Sequence, residues 1–171
     1  MRQLCIALIV ALALTGCSLQ FSTPKDPTAP LDRRDAEQVL VDRDRMVTEI
    51  SAALARVVPG TQWRAENKEL VTGCGEGHHI DGNLYFSPRY GSELRIPEAR
   101  WDQAVQTVID IAAKYGYTDV FRGTEHVNLQ IEDADGNRLL LLTGFFTVDT
   151  ECLMTAEEKR EYREYLEAKA K

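Results

Sequence analysis

An eleven-residue apolar run from Leu4 to Leu14 follows Arg2 and ends in Leu14-Thr15-Gly16-Cys17. No other stretch constrains the fold as strongly, because this one removes itself from the folded chain and sets the redox conditions for everything after it. A positive n-region, an apolar h-region and a small-residue site make the layout of a secretory signal peptide. The run is too short to span a bilayer, which takes about 20 predominantly apolar residues. Residues 1-16 are therefore expected to be cleaved, and the rest of the chain to fold outside the cytoplasm, where disulfides persist.

A cysteine stands at the cut itself, which an ordinary leader does not require. Leu14-Thr15-Gly16-Cys17 resembles the bacterial lipobox, and that resemblance implies a diacylglyceryl group on the Cys17 sulfur and a palmitate-type chain on the new amino terminus. Two or more acyl chains anchor stably where one myristoyl-sized chain is marginal. The expectation is a chain held through Cys17 on the extracytoplasmic face of the cell membrane. Ser18 to Pro30, with Pro24, Pro27 and Pro30 among polar residues, reads as a semi-rigid tether, so residues 17-30 form the lipidated spacer.

With the leader gone, Arg2 is lost and 19 Lys and Arg face 27 Asp and Glu, a formal net charge of −8. That balance excludes nucleic acid as a partner, since a phosphate backbone demands a basic surface. Residues 31-171 have the length of one compact domain with a single core, and neither a repeat nor a second linker divides them.

Of the four cysteines, Cys5 leaves with the leader and Cys17 is acylated, so Cys74 and Cys152 remain as an even pair. A disulfide between them is the economical reading. The competing reading takes Cys74 with Glu76, His78 and His79 as a metal site on Gly73-Cys74-Gly75-Glu76-Gly77-His78-His79. Those side chains are competent ligands, but adjacent histidines on a glycine-rich loop lack the paired spacing of zinc sites.

Apolar residues at three- and four-residue spacing predict a helix from Asp32 to Val58, ended by Pro59-Gly60, with the charges from Arg33 to Arg45 on a solvated face. Thr61 to Thr72 reads as a first strand disturbed near Asn67, and Leu84 to Phe86 as a second. Pro97 opens a second helix whose stripe from Trp101 to Tyr115 is apolar and which Gly116 closes. Thr118 to Arg122 starts a third strand, Val127, Leu129 and Ile131 alternate in a fourth, and Asp135-Gly136 turns the chain back along Arg138 to Val148. The aspartates from Asp133 to Asn137 look like a calcium loop but lack its glutamate at the twelfth position, where Gly144 stands. His126 reads as an exposed strand residue. Thr155-Ala156-Glu157-Glu158 fits a capping box that opens a charged C-terminal helix.

The lipobox, the N-terminal helix, Gly73-Cys74, Pro97 with Trp101, Tyr115-Gly116-Tyr117, Asp135-Gly136 and Cys152 occur in an order that resembles the LppA-like lipoprotein family of mycobacteria and related actinobacteria. The resemblance implies a cell-surface lipoprotein and supplies no catalytic residue. The expected fold is α+β, an antiparallel sheet of four or five strands with two amphipathic helices on one face and the cysteines joining its first and last strands. Gly-x-Ser-x-Gly, a P-loop and a His-Glu-x-x-His helix are all missing from the sequence. The expected role is accordingly a non-catalytic envelope module that needs no cofactor and binds an envelope protein or wall ligand. The alternative is a metal-dependent or hydrolytic enzyme built around Glu76, His78 and His79, with His126.

Overall fold

The computed structural model describes residues 29–74, 82–123 and 128–170. A helical turn α1 (Ala29–Asp32) precedes the long helix α2 (Ala36–Val57). The expected helix from Asp32 thus starts later. Arg33 and Arg34 are drawn out of it, the first donating from Nη1 to Cys152 O and the second from Nε to Asp135, while Ala36 N donates to Met154 O.

The stretch from Thr61 to Thr72 forms two strands in different sheets, β1 (Arg64–Ala65) and β2 (Leu70–Gly73). Asn67 is the cause. Its Oδ1 accepts from Arg89 N while Glu66 N donates to Arg89 O, which bends the chain out of β1. β3 (Asn83–Phe86) pairs with β2 and is bridged through Asn83 to Leu153, and β4 (Tyr90–Gly91) pairs with β1. Helix α3 (Glu98–Ala113) starts after Pro97, which holds an extended conformation at the N-cap. Gly116, at φ +87°, turns the chain from the end of that helix into the next strand, a conformation that costs glycine nothing. Four strands follow: β5 (Tyr117–Arg122), β6 (Asn128–Asp133), β7 (Arg138–Leu142) and β8 (Phe145–Asp149). Helix α4 (Ala156–Lys169) closes the chain, and the Thr155–Glu158 capping box is complete at its start.

The class is α+β, but the expected four or five strands are too few. The main sheet has six, in the antiparallel order β1-β4-β8-β7-β6-β5, and β2-β3 is a separate ribbon. One extra strand arises where Thr143 and Gly144 split Arg138–Val148. Their carbonyls accept from Ile96 N and Ser92 N, which holds the turn open. The cysteines also do not join the first and last strands of one sheet. Cys74 follows β2 of the ribbon and Cys152 follows β8 of the main sheet, so their bond ties the ribbon to the sheet.

Strand register sorts the faces of the sheet. Leu129, Leu141 and Phe146 lie side by side, as do Ile131, Leu139 and Val148, and all six are buried against α2 and α3. Opposite them in the core stand Met46, Ile50 and Leu54 of α2 with Trp101, Ala104, Val105 and Val108 of α3. Alternation sends Gln130, Leu140, Leu142, Phe145 and Thr147 to the other face, where each is half-buried. Arg43 departs from the expected solvated face. It is 6% exposed, hydrogen-bonds Asp44, and rests Nη1 against Glu69 as an ion pair without hydrogen-bond alignment. In α4, Tyr162 is buried and Tyr165 and Leu166 are half-buried, and Lys159 is buried with Nζ donating to Arg33 O and to Asp35 Oδ1.

Candidate functional site

Polar side chains of the domain gather at two ends of the main sheet, and the two ends differ in kind. At one, where the chain emerges from the N-terminal segment, Cys74 and Cys152 are bonded with Cα atoms 5.6 Å apart. Asn83 and Leu153 exchange backbone hydrogen bonds of 2.8 and 2.9 Å beside that bond. Gly82 lies so close that a Cβ there would stand 3.0 Å from Cys152 Sγ and 3.2 Å from Cys74 Sγ. A larger residue would press on both sulfurs.

The same end holds the aspartate loop. Asp133 is 5% exposed, and its carboxylate accepts from Asp135 N at 3.0 Å, Asn137 N at 2.9 Å, Asn137 Nδ2 at 2.8 Å and Arg34 Nη2. The lone pairs that a calcium ion would use are thus taken by three amide donors and a guanidinium. Burial opposes the Arg34 charge, but its hydrogen bond to Asp135 and the field of Asp133 outweigh that and raise its pKa. Burial first, and the Asp133 charge second, also push the Tyr117 phenol well up. This network does structural work, joining the N-terminal segment to the β6–β7 hairpin.

The disulfide changes what the Cys74 loop can do. A metal takes a cysteine as thiolate, and the Cys74 sulfur is bonded to Cys152 instead. Glu76, His78, His79, His126 and Cys17, the residue expected to be acylated, all lie outside the described residues. Among the described residues, no group of three or more His, Cys, Asp or Glu side chains could hold a metal ion, and no helix is long and apolar enough to cross a membrane.

The other end, at the β7–β8 turn, carries a cleft of about 410 Å³ that no sequence motif foreshadows. β7 separates the two ends by five residues, roughly 15 Å at the rise of a strand. Leu142 and Phe145 line the cleft from the half-exposed sheet face, and Ser92, Glu93 and Arg95 line it from the segment that the Thr143 and Gly144 carbonyls hold. Arg89 closes one side with its guanidinium 4.6 Å from the centre of the Phe145 ring and its Nε bonded to Glu66. The residues are dispersed over 80 positions of sequence as single charges and small side chains, so no local pattern announces them.

Among curated proteins, none matches the sequence. Two solved structures share the fold. The lipoprotein LppA from Mycobacterium tuberculosis matches with a TM-score of 0.52 at 15% identity, over 78% of this chain and 86% of that one. A DUF4853 family protein from Actinomyces odontolyticus matches with a TM-score of 0.51 at 14% identity, over 73% and 72%. At the level of sequence, residues 28–154 match the model of the LppA family, described as a lipoprotein confined to pathogenic Mycobacterium. That match spans the helices α1 to α3, both sheets and both bonded cysteines, and the chain belongs to the LppA lipoprotein family.

Proposed function

We propose that the chain is an envelope lipoprotein, anchored in the membrane through acylated Cys17, whose folded domain is a non-catalytic module that binds an envelope protein or wall ligand. The observation that supports binding is the asymmetry of the six-stranded sheet. One face is sealed by α2 and α3, while the other presents Leu140, Leu142, Phe145 and Thr147 half-exposed and runs into the cleft at the β7–β8 turn. Chemistry at Cys74 is disfavoured by its disulfide.

A photo-crosslinking residue at Thr147 on the open face, compared with one at the exposed Arg163 of α4, tests this on the native envelope. A discrete adduct at position 147 and none at 163 is the expected result. Equal, diffuse labelling at both positions would contradict a dedicated binding face.

A further inference from the structure

We infer that the open edge of β2 is a docking site for a strand formed by the chain's own N-terminal segment, Ser18–Thr23, so that this segment straps the folded domain to its anchor. The inference rests on the reading of Cys17 as the anchored amino end.

The register of the ribbon shows which backbone groups are open. Cys74 N donates to Gly82 O at 3.0 Å, and Thr72 and Leu70 stand opposite Leu84 and Phe86 in the same antiparallel ladder. Alternation therefore turns the backbone groups of Leu70, Thr72 and Cys74 toward β3 and the N–H and C=O of Val71 and Gly73 outward. The far side of β3 is already taken, since Asn83 exchanges backbone bonds with Leu153 and Tyr85 O accepts from Thr150 N at 2.9 Å. No such partner meets Val71 or Gly73 among the described residues. Leu70 is 62% and Val71 47% exposed, and a Cβ placed on Gly73 would meet no atom within 4 Å, so a further strand has room.

This edge also lacks the usual guards. An exposed strand edge is ordinarily blunted by charge, proline, a bulge or shortness. The main sheet follows that rule. β5 has a register shift between Tyr117 and Asp119 and carries Asp119 and Arg122, and β1 has two residues, one of them Arg64. β2 is Leu70-Val71-Thr72-Gly73, uncharged and regular in its pairing. Leu84 and exposed Phe86 share a face with Leu70, turned away from Tyr85, which packs against Ala36 and Val39 of α2.

The occupant is present in the sequence before α1. Ser18-Leu19-Gln20-Phe21-Ser22-Thr23 alternates polar and apolar residues, carries no charge and stops at Pro24, which cannot donate to a ladder. Its Leu19 and Phe21 would share one face of a strand. The segment lies outside the described residues, and the chain after it enters at the ribbon. α1 leads into Arg33, whose Nη1 donates to Cys152 O, and Cys152 is bonded to Cys74 at the end of β2. Pro24 to Thr28 can span up to about 17 Å, more than the roughly 10 Å length of a four-residue strand, so Ser18–Thr23 reaches β2 in either direction. Leu19 and Phe21 then extend the apolar row of Leu70, Leu84 and Phe86. Pairing would hold acylated Cys17 beside the ribbon rather than at the end of a loose spacer.

The test uses the full lipoprotein in neutral nanodiscs at one copy per disc, with amide hydrogen exchange read residue by residue. In the wild type, Val71 and Gly73 should exchange slowly. Gln20→Pro combined with Phe21→Pro, which removes a donor from each edge of the segment, should speed both by about fivefold or more, the size expected when a hydrogen bond of ordinary net strength is lost. Leu70 and Thr72, bonded to β3, and the core strand β6 should be unchanged, which separates loss of the strap from loss of the fold. Unprotected exchange of Val71 and Gly73 in the wild type, protection that survives both prolines, or protection that appears only when two copies share a disc would each overturn the inference. If it is overturned while the wild type carries its acyl mass and Cys17→Ser leaves the membrane fraction, the anchored module stands without a strap. A wild type lacking the acyl mass removes the anchor and the strap together.

Discussion

Replacing Asp133 by alanine removes one side chain and strands four donors. Asp135 N, Asn137 N and Asn137 Nδ2 lose their acceptor, and Arg34 loses its buried partner. Asp133 is 5% exposed, and breaking a buried charged network by removing one member costs about 3–5 kcal/mol. For a domain of this size each kcal/mol lowers the melting temperature by roughly 3–5 °C, so Asp133→Ala should lower it by about 10–20 °C. Arg34→Met provides the comparison. It deletes the ion pairs to Asp133 and Asp135 but leaves the three amide donors satisfied, and its side chain is 37% exposed. Screening limits such a partly exposed pair to about 1 kcal/mol or less, and the remaining effect should shrink further as salt is raised. Thermal unfolding followed by circular dichroism at two salt concentrations separates the two losses. An Arg34→Met variant as damaged as Asp133→Ala would refute the reasoning, because the ion pair would then outweigh the buried turn that Asp133 organises.

Cys74→Ser and Cys152→Ser should each destabilise the domain by up to about 4–5 kcal/mol, the loop-closure value for cysteines separated by 78 residues. The double variant should be little worse than either single one in denaturant unfolding, since one bond is lost in all three. Cys17→Ser should abolish lipidation and release the protein from the membrane fraction, whereas globomycin-insensitive processing of the wild type or unchanged fractionation of the variant would count against the lipid anchor. Asp149 is raised in pKa, chiefly by burial, with Arg138 opposing. The folded state therefore holds its proton more tightly, and stability falls as pH rises from the ordinary aspartate range through the raised value. Asp149→Asn should stabilise the domain at neutral pH and make no difference in strong acid, where both states carry the proton. A neutral-pH loss measured by chemical denaturation would reverse that sign.

How far the sequence carried the fold depended on whether a signal was local. The apolar stripe of α3, the Thr155 capping box and the Asp135-Gly136 turn are each written within a few neighbouring residues, and the structure has all three. Three strands were hidden: β4 is only two residues long and carries no alternation to read, and the other two have boundaries set from a distance. Asn67 ends β1 by accepting from Arg89, 22 residues away, and Thr143-Gly144 breaks the β7–β8 stretch through bonds to Ser92 and Ile96. Arg43 misled for a related reason. Helical position placed it among solvated charges, but Glu69 arrives from beyond the helix and fixes it inside. The bonded pair Cys74 and Cys152 could be read by counting thiols, whereas the Arg34–Asp133 anchor and the distal cleft require the sheet to be assembled first.

The contrast between the two ends of the sheet follows from how each satisfies its polar groups. At the N-terminal end the polar groups of the described residues are answered from within the chain. Arg33 reaches Cys152 O, Arg34 reaches Asp133 and Asp135, Lys159 reaches Arg33 O and Asp35, and Ala36 N reaches Met154 O. A pull on the N-terminal segment would meet the sheet, α4 and the disulfide-linked segment together. At the β7–β8 end the backbone is pinned but Ser92 Oγ and Arg95 are left without partners among the described residues. Among the described residues two other buried side-chain donors lack a hydrogen bond: Arg43 Nη1, which is ion-paired to Glu69, and Trp63 Nε1, whose ring packs against Phe146 inside the core. Leaving a buried hydroxyl open costs about 1–3 kcal/mol in a chain that satisfies its other end so fully.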